Sequence, residues 1–127
     1  MEKLHIEGSA KTPSVNFDGQ VGILEMRGRS IPENSIEFFQ PLMDWIEAYG
    51  AEPTEETRVD MKLEYFNTSS SKCILDLFKR LEKINNGESQ VLINWFYETD
   101  DEDMQEAGED YAAIVDLKFE IQEIDEI

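Results

Sequence analysis

Hydrophobic and polar positions follow two different periods along this chain, and the two periods meet near its middle. Over residues 58–65 the odd positions are hydrophobic and the even positions are charged, which is typical of a strand with one buried face. Over residues 74–81 hydrophobic side chains recur three or four positions apart, which predicts an amphipathic helix. The sequence therefore predicts a strand that passes directly into a helix.

The residues before this strand predict a β-meander and then a helix. Short strands are indicated at 4–6, 14–17 and 21–27, with a hairpin turn signal at Asp18-Gly19. A loop is expected over 28–32, and the hydrophobic spacing of 36–49 predicts a helix that ends at Gly50. Pro41 lies inside that helix and is expected to bend it or split it in two. Residues 51–57 form a polar linker.

The second half of the chain predicts a third helix and two more strands. A helix stop signal lies at 85–87, and residues 91–97 have the hydrophobic character of a central strand in a sheet covered on both faces. Asp100 is expected to cap the third helix, and a last strand follows over 117–121. The residues of that helix expected to face inward are Met104, Ala107, Tyr111 and Ile114. The prediction is one α/β domain over residues 1–127, with a mixed sheet of about six strands, three main helices and right-handed crossovers.

The composition is acidic, but it is not that of a disordered chain. Of the 127 residues 40% are hydrophobic, including seven Phe, four Tyr and two Trp, so a core can form. Eleven basic against 29 acidic residues give a net charge of -18, a field that repels nucleic acid and anionic membranes and attracts basic partners or cations. The same acidity also favours solubility, so it identifies no partner.

The chain is expected to act in the cytoplasm. Its single cysteine, Cys73, has no partner for an internal disulfide, and the first residues, MEKLHIEGSAK, lack the hydrophobic core of a signal peptide. No hydrophobic run approaches the roughly 20 residues that span a bilayer, so no membrane segment is predicted.

Four consecutive hydroxyl residues, Thr68, Ser69, Ser70 and Ser71, follow Asn67 where the predicted helix opens. Asn, Thr and Ser cap helices by accepting hydrogen bonds from the first free N–H groups, and one or two such residues suffice. These N–H groups and the helix dipole also stabilise negative charge, so a phosphate is favoured here, with Lys72 one turn after Thr68 as a cation. On these residues alone, a simple cap on a solvated turn is the preferred interpretation.

The sequence predicts no catalytic, metal or cofactor site. His5, the only histidine, lies in the first strand with no nucleophile pattern near it, and Cys73 is typical of a small buried residue. One Cys and one His do not make a zinc site, and neither a P-loop nor a GxGxxG motif occurs. Residues 98–110 hold eight carboxylates and no basic residue, which is typical of a solvated helix face.

Several stretches of the chain resemble the SiaC family of bacterial regulatory phosphoproteins. They are YFNTSSSK at 65–72, VLINWFY at 91–97 with the acidic 98–103, Thr12-Pro13, GRSIPEN at 28–34 and GEDY at 108–111. The similarity runs over nearly the whole chain. The family broadly shares its layout with the STAS class of anti-sigma factor antagonists, whose phosphorylated hydroxyl also opens a helix after a strand. That parallel is an analogy between scaffolds and does not establish function.

The resemblance implies a role for the hydroxyl cluster. Thr68 matches the family's threonine, which a SiaB-type kinase phosphorylates and a SiaA-type phosphatase of the PPM class dephosphorylates. Unphosphorylated members bind and activate a SiaD-type diguanylate cyclase, which raises cyclic di-GMP and promotes aggregation or biofilm formation. A similar output is implied here, from a protein that is not itself an enzyme. Thr68 is then expected in a partner-binding surface with Asn67, Ser69, Ser70 and Lys72 around it.

Two further hypotheses are open at this point. One is a constitutive acidic adaptor that docks on a basic surface, with the hydroxyl cluster acting only as a cap. Such binding weakens steeply with salt and is indifferent to phosphorylation. The other is a small-ligand or cation-binding enzyme that uses the carboxylates of residues 98–103.

Overall fold

The computed structural model describes residues 2–85 and 89–127, which form a six-stranded sheet and three helices. The strands are β1 (Leu4–Ile6), β2 (Ser14–Asp18), β3 (Ile23–Ser30), β4 (Glu56–Phe66), β5 (Gln90–Glu98) and β6 (Lys118–Ile124). The helices are α1 (Ser35–Tyr49), α2 (Thr68–Asn85) and α3 (Glu102–Ile114). None of the helices in these residues combines the length and the apolar character needed to cross a bilayer.

The strands lie in the sheet in the order in which they occur in the chain. β1, β2 and β3 pair antiparallel, whereas β3, β4, β5 and β6 pair parallel. One helix connects each pair of neighbouring parallel strands. When such crossovers are all right-handed and each leads to the next strand on the same side, their helices lie on the same face of the sheet. The predicted mixed sheet of six strands with three helices is confirmed.

All three helices pack on one face of the sheet. The ring of Trp45 in α1 lies 5.3 Å from that of Phe17 in β2. Phe78 in α2 and Tyr111 in α3 lie 6.4 and 5.4 Å from the ring of Trp95 in β5. Burying a large hydrophobic side chain contributes about 1.5–3 kcal/mol, so this layer between helices and sheet supplies most of the stability. A row across the same face is formed by Phe17, Leu24, Val59, Ile93 and Phe119.

The opposite face of the sheet is not covered by any helix or strand of the described residues, which corrects the prediction of a central strand covered on both sides. β5 lies next to the edge strand β6. On the open face, the side-chain amide of Asn94 donates to Asp60 at 2.9 Å, and Lys62 lies 5.2 Å from the centre of the Phe96 ring. The hydrophobic run at 91–97 therefore reflects packing between neighbouring side chains and does not indicate a second layer.

Of two predictions about turns in the first half, the loop is corrected and the hairpin is confirmed. β3 continues through Ser30, although the sequence predicts a loop over 28–32, because the register shifts after Gly28 and the strand stays paired with β4. Gly28 has a φ of 120°, which suits this irregularity. The hairpin after Asp18 forms, but its left-handed glycine is Gly22, with a φ of 72°. A Cβ on Gly22 would lie 2.1 Å from Thr54 Oγ1, so only glycine fits.

The helices differ from prediction at particular residues. α1 runs without a break across Pro41, so that proline does not split it. α3 is capped by Asp101, whose side chain accepts from the backbone N–H of Met104, while Asp100 adopts a φ of 71° in the preceding turn. Ile114, predicted to face inward, is 57% exposed at the end of α3. The stop signal at 85–87 lies partly outside the described residues, which end at Asn85 in α2.

Candidate functional site

The residues predicted as a site lie at the edge where the parallel strands end. β3 ends at Ser30 and β4 at Phe66, and the helices that follow them begin at Ser35 and Thr68. Open parallel sheets form binding sites outside the carboxyl ends of their strands. The hydroxyl oxygens of Ser35 and Ser69 lie 2.7 Å apart, so the starts of α1 and α2 are in direct contact at this edge.

Asn67 caps α2 without help from the hydroxyl residues. Its side-chain oxygen accepts from the backbone N–H of Ser70 at 2.9 Å, and its carbonyl accepts from the N–H of Ser71 at 3.0 Å. Its own N–H donates to the carbonyl of Ser30 at 3.0 Å, which fixes the cap to the end of β3. Such a cap contributes about 1 kcal/mol. The hydroxyls that follow Asn67 are therefore not needed as the cap.

Ser70 is a buried structural residue. Its side chain has no exposed surface, and its hydroxyl donates to the carbonyl of Ser30 at 3.0 Å. The hydroxyl oxygen of Ser30 lies 2.8 Å from that of Ser70 and donates to it, since the proton of Ser70 is already committed. Ser70 thus lies beneath the predicted partner-binding surface and joins α2 to β3.

Ser69 and Ser71 are each tied to a different helix. The exposed Ser69 lies next to Ser35 of α1, and its hydroxyl also donates to the side-chain oxygen of Asn67 at 3.2 Å. The hydroxyl oxygens of Ser71 and Tyr111 in α3 lie 3.1 Å apart, and Tyr111 donates to the carbonyl of Ser71 at 2.9 Å. The first turn of α2 is consequently held by α1 on one side and α3 on the other.

Thr68 differs from the three serines that follow it. It is exposed, and among the residues that the structure describes its hydroxyl has no hydrogen-bond partner, whereas Ser69, Ser70 and Ser71 all have one. The first turn of α2 carries no acidic side chain, and Lys72 is exposed one turn further on. The helix dipole and Lys72 both favour negative charge at this position.

A layer of aromatic rings lies under this turn. The ring of Tyr111 lies 5.3 Å from that of Phe78 and 5.4 Å from that of Trp95. Burial raises the pKa of the Tyr111 hydroxyl, and its hydrogen bond with Ser71 opposes this rise. Tyr111 therefore stays neutral at physiological pH and keeps its proton for Ser71. A Cβ on Gly108 would lie 2.4 Å from the Trp95 ring, which shows how closely α3 packs on β5.

Two large hydrophobic side chains are exposed at the start of α1 and near the end of β4, the elements that meet at this edge. Ile36, the neighbour of Ser35 in α1, is 74% exposed, and Tyr65, near the end of β4, is 54% exposed. Exposed hydrophobic side chains next to polar groups are typical of surfaces that bind other proteins. The end of β4 and the starts of α1 and α2 therefore form a candidate docking surface around Thr68.

The acidic segment 98–110 is used in local structure. Asp101 caps α3 by accepting from Met104 N–H at 3.1 Å, and the carboxylate of Glu98 accepts from the backbone N–H of Ile127 at 3.1 Å. Within residues 2–85 and 89–127, no three His, Cys, Asp or Glu side chains are grouped so that they could hold a metal ion. The cation-binding hypothesis for residues 98–103 gains no support from this geometry.

Neither His5 nor Cys73 has the surroundings expected of a catalytic base or nucleophile. His5 is exposed on β1, where its Nδ1 lies 2.6 Å from the side-chain oxygen of Asn16. Cys73 is buried in α2, and this burial, together with Asp76, raises the pKa of its thiol. A thiol of raised pKa is a poor nucleophile at neutral pH.

Sequence reasoning missed the residues that hold the serines in place. Ser30 lies in the stretch predicted as a loop, Ser35 precedes the predicted first helix, and Tyr111 is predicted as a core residue; Ser30 and Tyr111 also lie in stretches that resemble the family, but neither is predicted to contact the serines. Ser30 and Ser70 are 40 residues apart in the chain, as are Ser71 and Tyr111. No pattern within one sequence reports contacts over such a separation.

Comparison with known proteins identifies the chain. The model of the SiaC family regulatory phosphoproteins matches residues 6–124. The chain belongs to the SiaC family. An uncharacterised protein of Pseudomonas aeruginosa (strain UCBPP-PA14) is 37% identical to it over 126 residues, which are 99% of this chain and 100% of that protein.

Solved structures extend this likeness to three dimensions. SiaC of Pseudomonas aeruginosa matches with a TM-score of 0.87 and 34% identity, over 98% of this chain and 100% of that one. A chain in the crystal structure of the diguanylate cyclase SiaD with its activator SiaC, from the same organism, matches with a TM-score of 0.88 and 36% identity, over 95% and 99%. The resemblance found in the sequence is confirmed, and this SiaC-family member is a regulatory phosphoprotein.

Proposed function

We propose that this SiaC-family member binds an effector protein and that phosphorylation of Thr68 switches the binding off. The observation that carries the proposal is the free, exposed hydroxyl of Thr68 at the start of α2. Ser70 is buried, and the hydroxyls of Ser69 and Ser71 are engaged with neighbouring helices. Thr68 is therefore the one hydroxyl of the cluster that is both exposed and without a hydrogen-bond partner among the described residues.

The phosphate is added by a SiaB-type kinase and removed by a SiaA-type phosphatase of the PPM class. Support for these partners comes from the family resemblance of the stretch 65–72. The reaction takes place in the cytoplasm, where ATP is available. The chain itself acts by binding and not by catalysis, which agrees with its membership of a regulatory family.

The effector of the unphosphorylated form is a diguanylate cyclase of the SiaD type. This assignment is supported by the similarity to the chain of the structure in which SiaC is described as the activator of SiaD. The partner-binding surface consists of Asn67, Thr68, Ser69 and Lys72, with Ser70 beneath it. The exposed Ile36 and Tyr65 supply the apolar contacts at its border.

Charge explains how one phosphate switches the surface. A phosphate adds roughly -1.5 to -2 charges at pH 7 and three acceptor oxygens, and the helix dipole with Lys72 stabilises it in the free protein. In the complex the same charge must be desolvated, and like-charge contacts at an interface cost several kcal/mol. Since about 1.4 kcal/mol corresponds to tenfold in affinity, this cost is sufficient to separate the partners. The serine contacts hold the first turn of α2, so no refolding is required.

Mass spectrometry combined with calorimetry tests the proposal. The chain is incubated with ATP and a SiaB-type kinase, the phosphate is located by fragment-ion spectra, and affinity for a SiaD-type cyclase is measured before and after full modification. One phosphate on Thr68, its absence from Thr68→Ala, and a loss of affinity of at least tenfold on modification are expected. Thr99→Ala, which removes an exposed threonine after β5, is the control and should behave as wild type.

Two results would contradict the proposal. One is a fully phosphorylated sample that binds the cyclase as tightly as the unmodified chain. The other is a phosphate that maps elsewhere than Thr68. Binding that weakens steeply with salt and ignores phosphorylation would instead support the constitutive acidic adaptor.

A further inference from the structure

We infer that Ser35 determines which hydroxyl of the cluster is phosphorylated, by engaging Ser69 and leaving Thr68 as the acceptor. The inference rests on the proposed modification of Thr68 and concerns its specificity. Thr68 and Ser69 are adjacent, and both are exposed, so surface access does not distinguish them. The distinction lies in the hydrogen bonds of Ser69, one of which comes from a different helix.

The hydrogen bonds of Ser69 engage the proton of its hydroxyl and one of the two lone pairs of its oxygen. The Ser69 proton is donated to the side-chain oxygen of Asn67, at 3.2 Å. Since that proton is committed, the 2.7 Å contact with Ser35 requires the hydroxyl of Ser35 to donate to the oxygen of Ser69. Ser35 is itself 5% exposed, so its hydroxyl is held in the interior and does not turn towards solvent.

Phosphoryl transfer uses both the proton and a lone pair of the attacking hydroxyl. The hydroxyl oxygen attacks the γ-phosphorus of ATP, the bond to the β-phosphate oxygen breaks, ADP leaves, and the hydroxyl proton passes to a base of the kinase. At Ser69 the proton already has an acceptor and one lone pair is occupied by Ser35. At Thr68 no described residue engages either the proton or the oxygen.

The other serines do not compete for the phosphoryl group. Ser70 has no exposed surface, and Ser71 is bonded to Tyr111 in α3. Ser69 is therefore a latent acceptor that the contact with α1 keeps silent. Losing one hydrogen bond of ordinary strength corresponds to about fivefold in reactivity, so removal of the Ser35 hydroxyl should expose Ser69 measurably.

The test compares phosphorylation of Thr68→Ala with that of the double variant Ser35→Ala/Thr68→Ala, using ATP and a SiaB-type kinase. We expect Ser69 phosphate in the double variant at about five times the rate seen in Thr68→Ala. Ser35→Thr/Thr68→Ala, which keeps a hydroxyl at position 35, should show Ser69 phosphate at the same rate as Thr68→Ala. The matched control is Ser89→Ala/Thr68→Ala, because Ser89 is 4% exposed and its hydroxyl oxygen lies 2.7 Å from that of Thr57, away from this site.

The outcomes separate this inference from the proposed function. Thr68 phosphate in wild type with no rise at Ser69 in the double variant overturns the role of Ser35 and leaves the switch intact. A wild type that is not modified on Thr68 removes the switch, and the inference falls with it. If thermal unfolding shows that Ser35→Ala is unfolded, Ser35→Cys replaces it, since a thiol keeps the volume with a weak donor. Lack of Ser69 phosphate in Ser35→Cys/Thr68→Ala then overturns the inference.

Discussion

A carboxylate at position 68 should stabilise the folded chain while it abolishes effector binding. Thr68 is the first residue of α2, and the first turn of that helix carries no acidic side chain. Thr68→Glu adds a charge that Thr68→Gln, of nearly the same shape, does not add. A negative charge in the first turn of a helix contributes about 0.3–1 kcal/mol, with the upper part of that range expected beside Lys72.

The stability difference between the Glu and Gln variants is measurable by thermal and urea unfolding. For a chain of this length the expected gain corresponds to roughly 1–4 °C in Tm. It should shrink as salt is raised, because exposed charges are screened beyond about 10 Å at 0.1 M ionic strength. On the same samples, calorimetry should show that Thr68→Glu binds a SiaD-type cyclase at least tenfold more weakly than Thr68→Gln.

Measuring stability and cyclase affinity on the same two variants separates the effect of the charge on folding from its effect on binding. Equal stability of the two variants, or a gap that salt does not reduce, would refute the helix-dipole argument. A Thr68→Glu variant that is more stable and still binds like Thr68→Gln would refute the assignment of Thr68 to the partner-binding surface. The two arguments together require that Thr68→Glu is more stable than Thr68→Gln and binds the cyclase more weakly.

Three further substitutions test the packing around the site. Gly108→Ala brings a Cβ to 2.4 Å from the ring of Trp95, so urea denaturation should show a loss of about 1–3 kcal/mol in the free energy of unfolding. Tyr111→Phe removes the donor to the carbonyl of Ser71, with an expected loss of about 1–2 kcal/mol and faster hydrogen exchange in the first turn of α2. Asn67→Ala removes the cap of α2 and should cost about 1 kcal/mol in thermal unfolding followed by circular dichroism.

Each of these changes has a control in the same chain. Glu109→Ala alters an exposed residue beside Gly108, and Tyr65→Phe removes a hydroxyl from an exposed tyrosine, so both should stay within about 0.5 kcal/mol of wild type. Asn67→Asp keeps a cap acceptor and should keep stability. A Gly108→Ala or Tyr111→Phe variant as stable as its control would show that the contact contributes nothing. If Asn67→Ala and Asn67→Asp have the same melting temperature, the cap contributes nothing to stability.

The elements predicted best are those in which the spacing of hydrophobic residues fits only a strand or only a helix. The alternation at 58–65 falls within β4, and the hydrophobic positions Ile74, Leu77, Phe78 and Leu81 of α2 are all fully buried. A strand and a helix bury side chains at different spacings, so a long regular pattern reports both the type of element and its buried face. The early strands and the first helix were predicted for the same reason.

The errors arise where two physical explanations give the same pattern. A run of hydrophobic residues such as 91–97 is produced by a second layer, but also by long neighbours like Lys62 lying over Phe96. Asp100 and Asp101 are equally good caps by residue type, and the backbone of the turn decides between them. At the site, the local sequence predicts the cap and the hydroxyl cluster, and the family resemblance singles out Thr68. The contact between Ser35 and Ser69 depends instead on the packing of α1 against α2.

The order of the strands has a consequence for how the molecule assembles. Every strand pairs with strands adjacent to it in sequence, so each strand can join the sheet as the ribosome releases it, without waiting for a later one. Ser30, Ser35, Ser69 and Ser70 all lie before β5, and their contacts can form while the last third of the chain is still being synthesised. Tyr111 is synthesised after these residues, so the first turn of α2, which carries Thr68, can gain its contact with α3 only after that helix has been made.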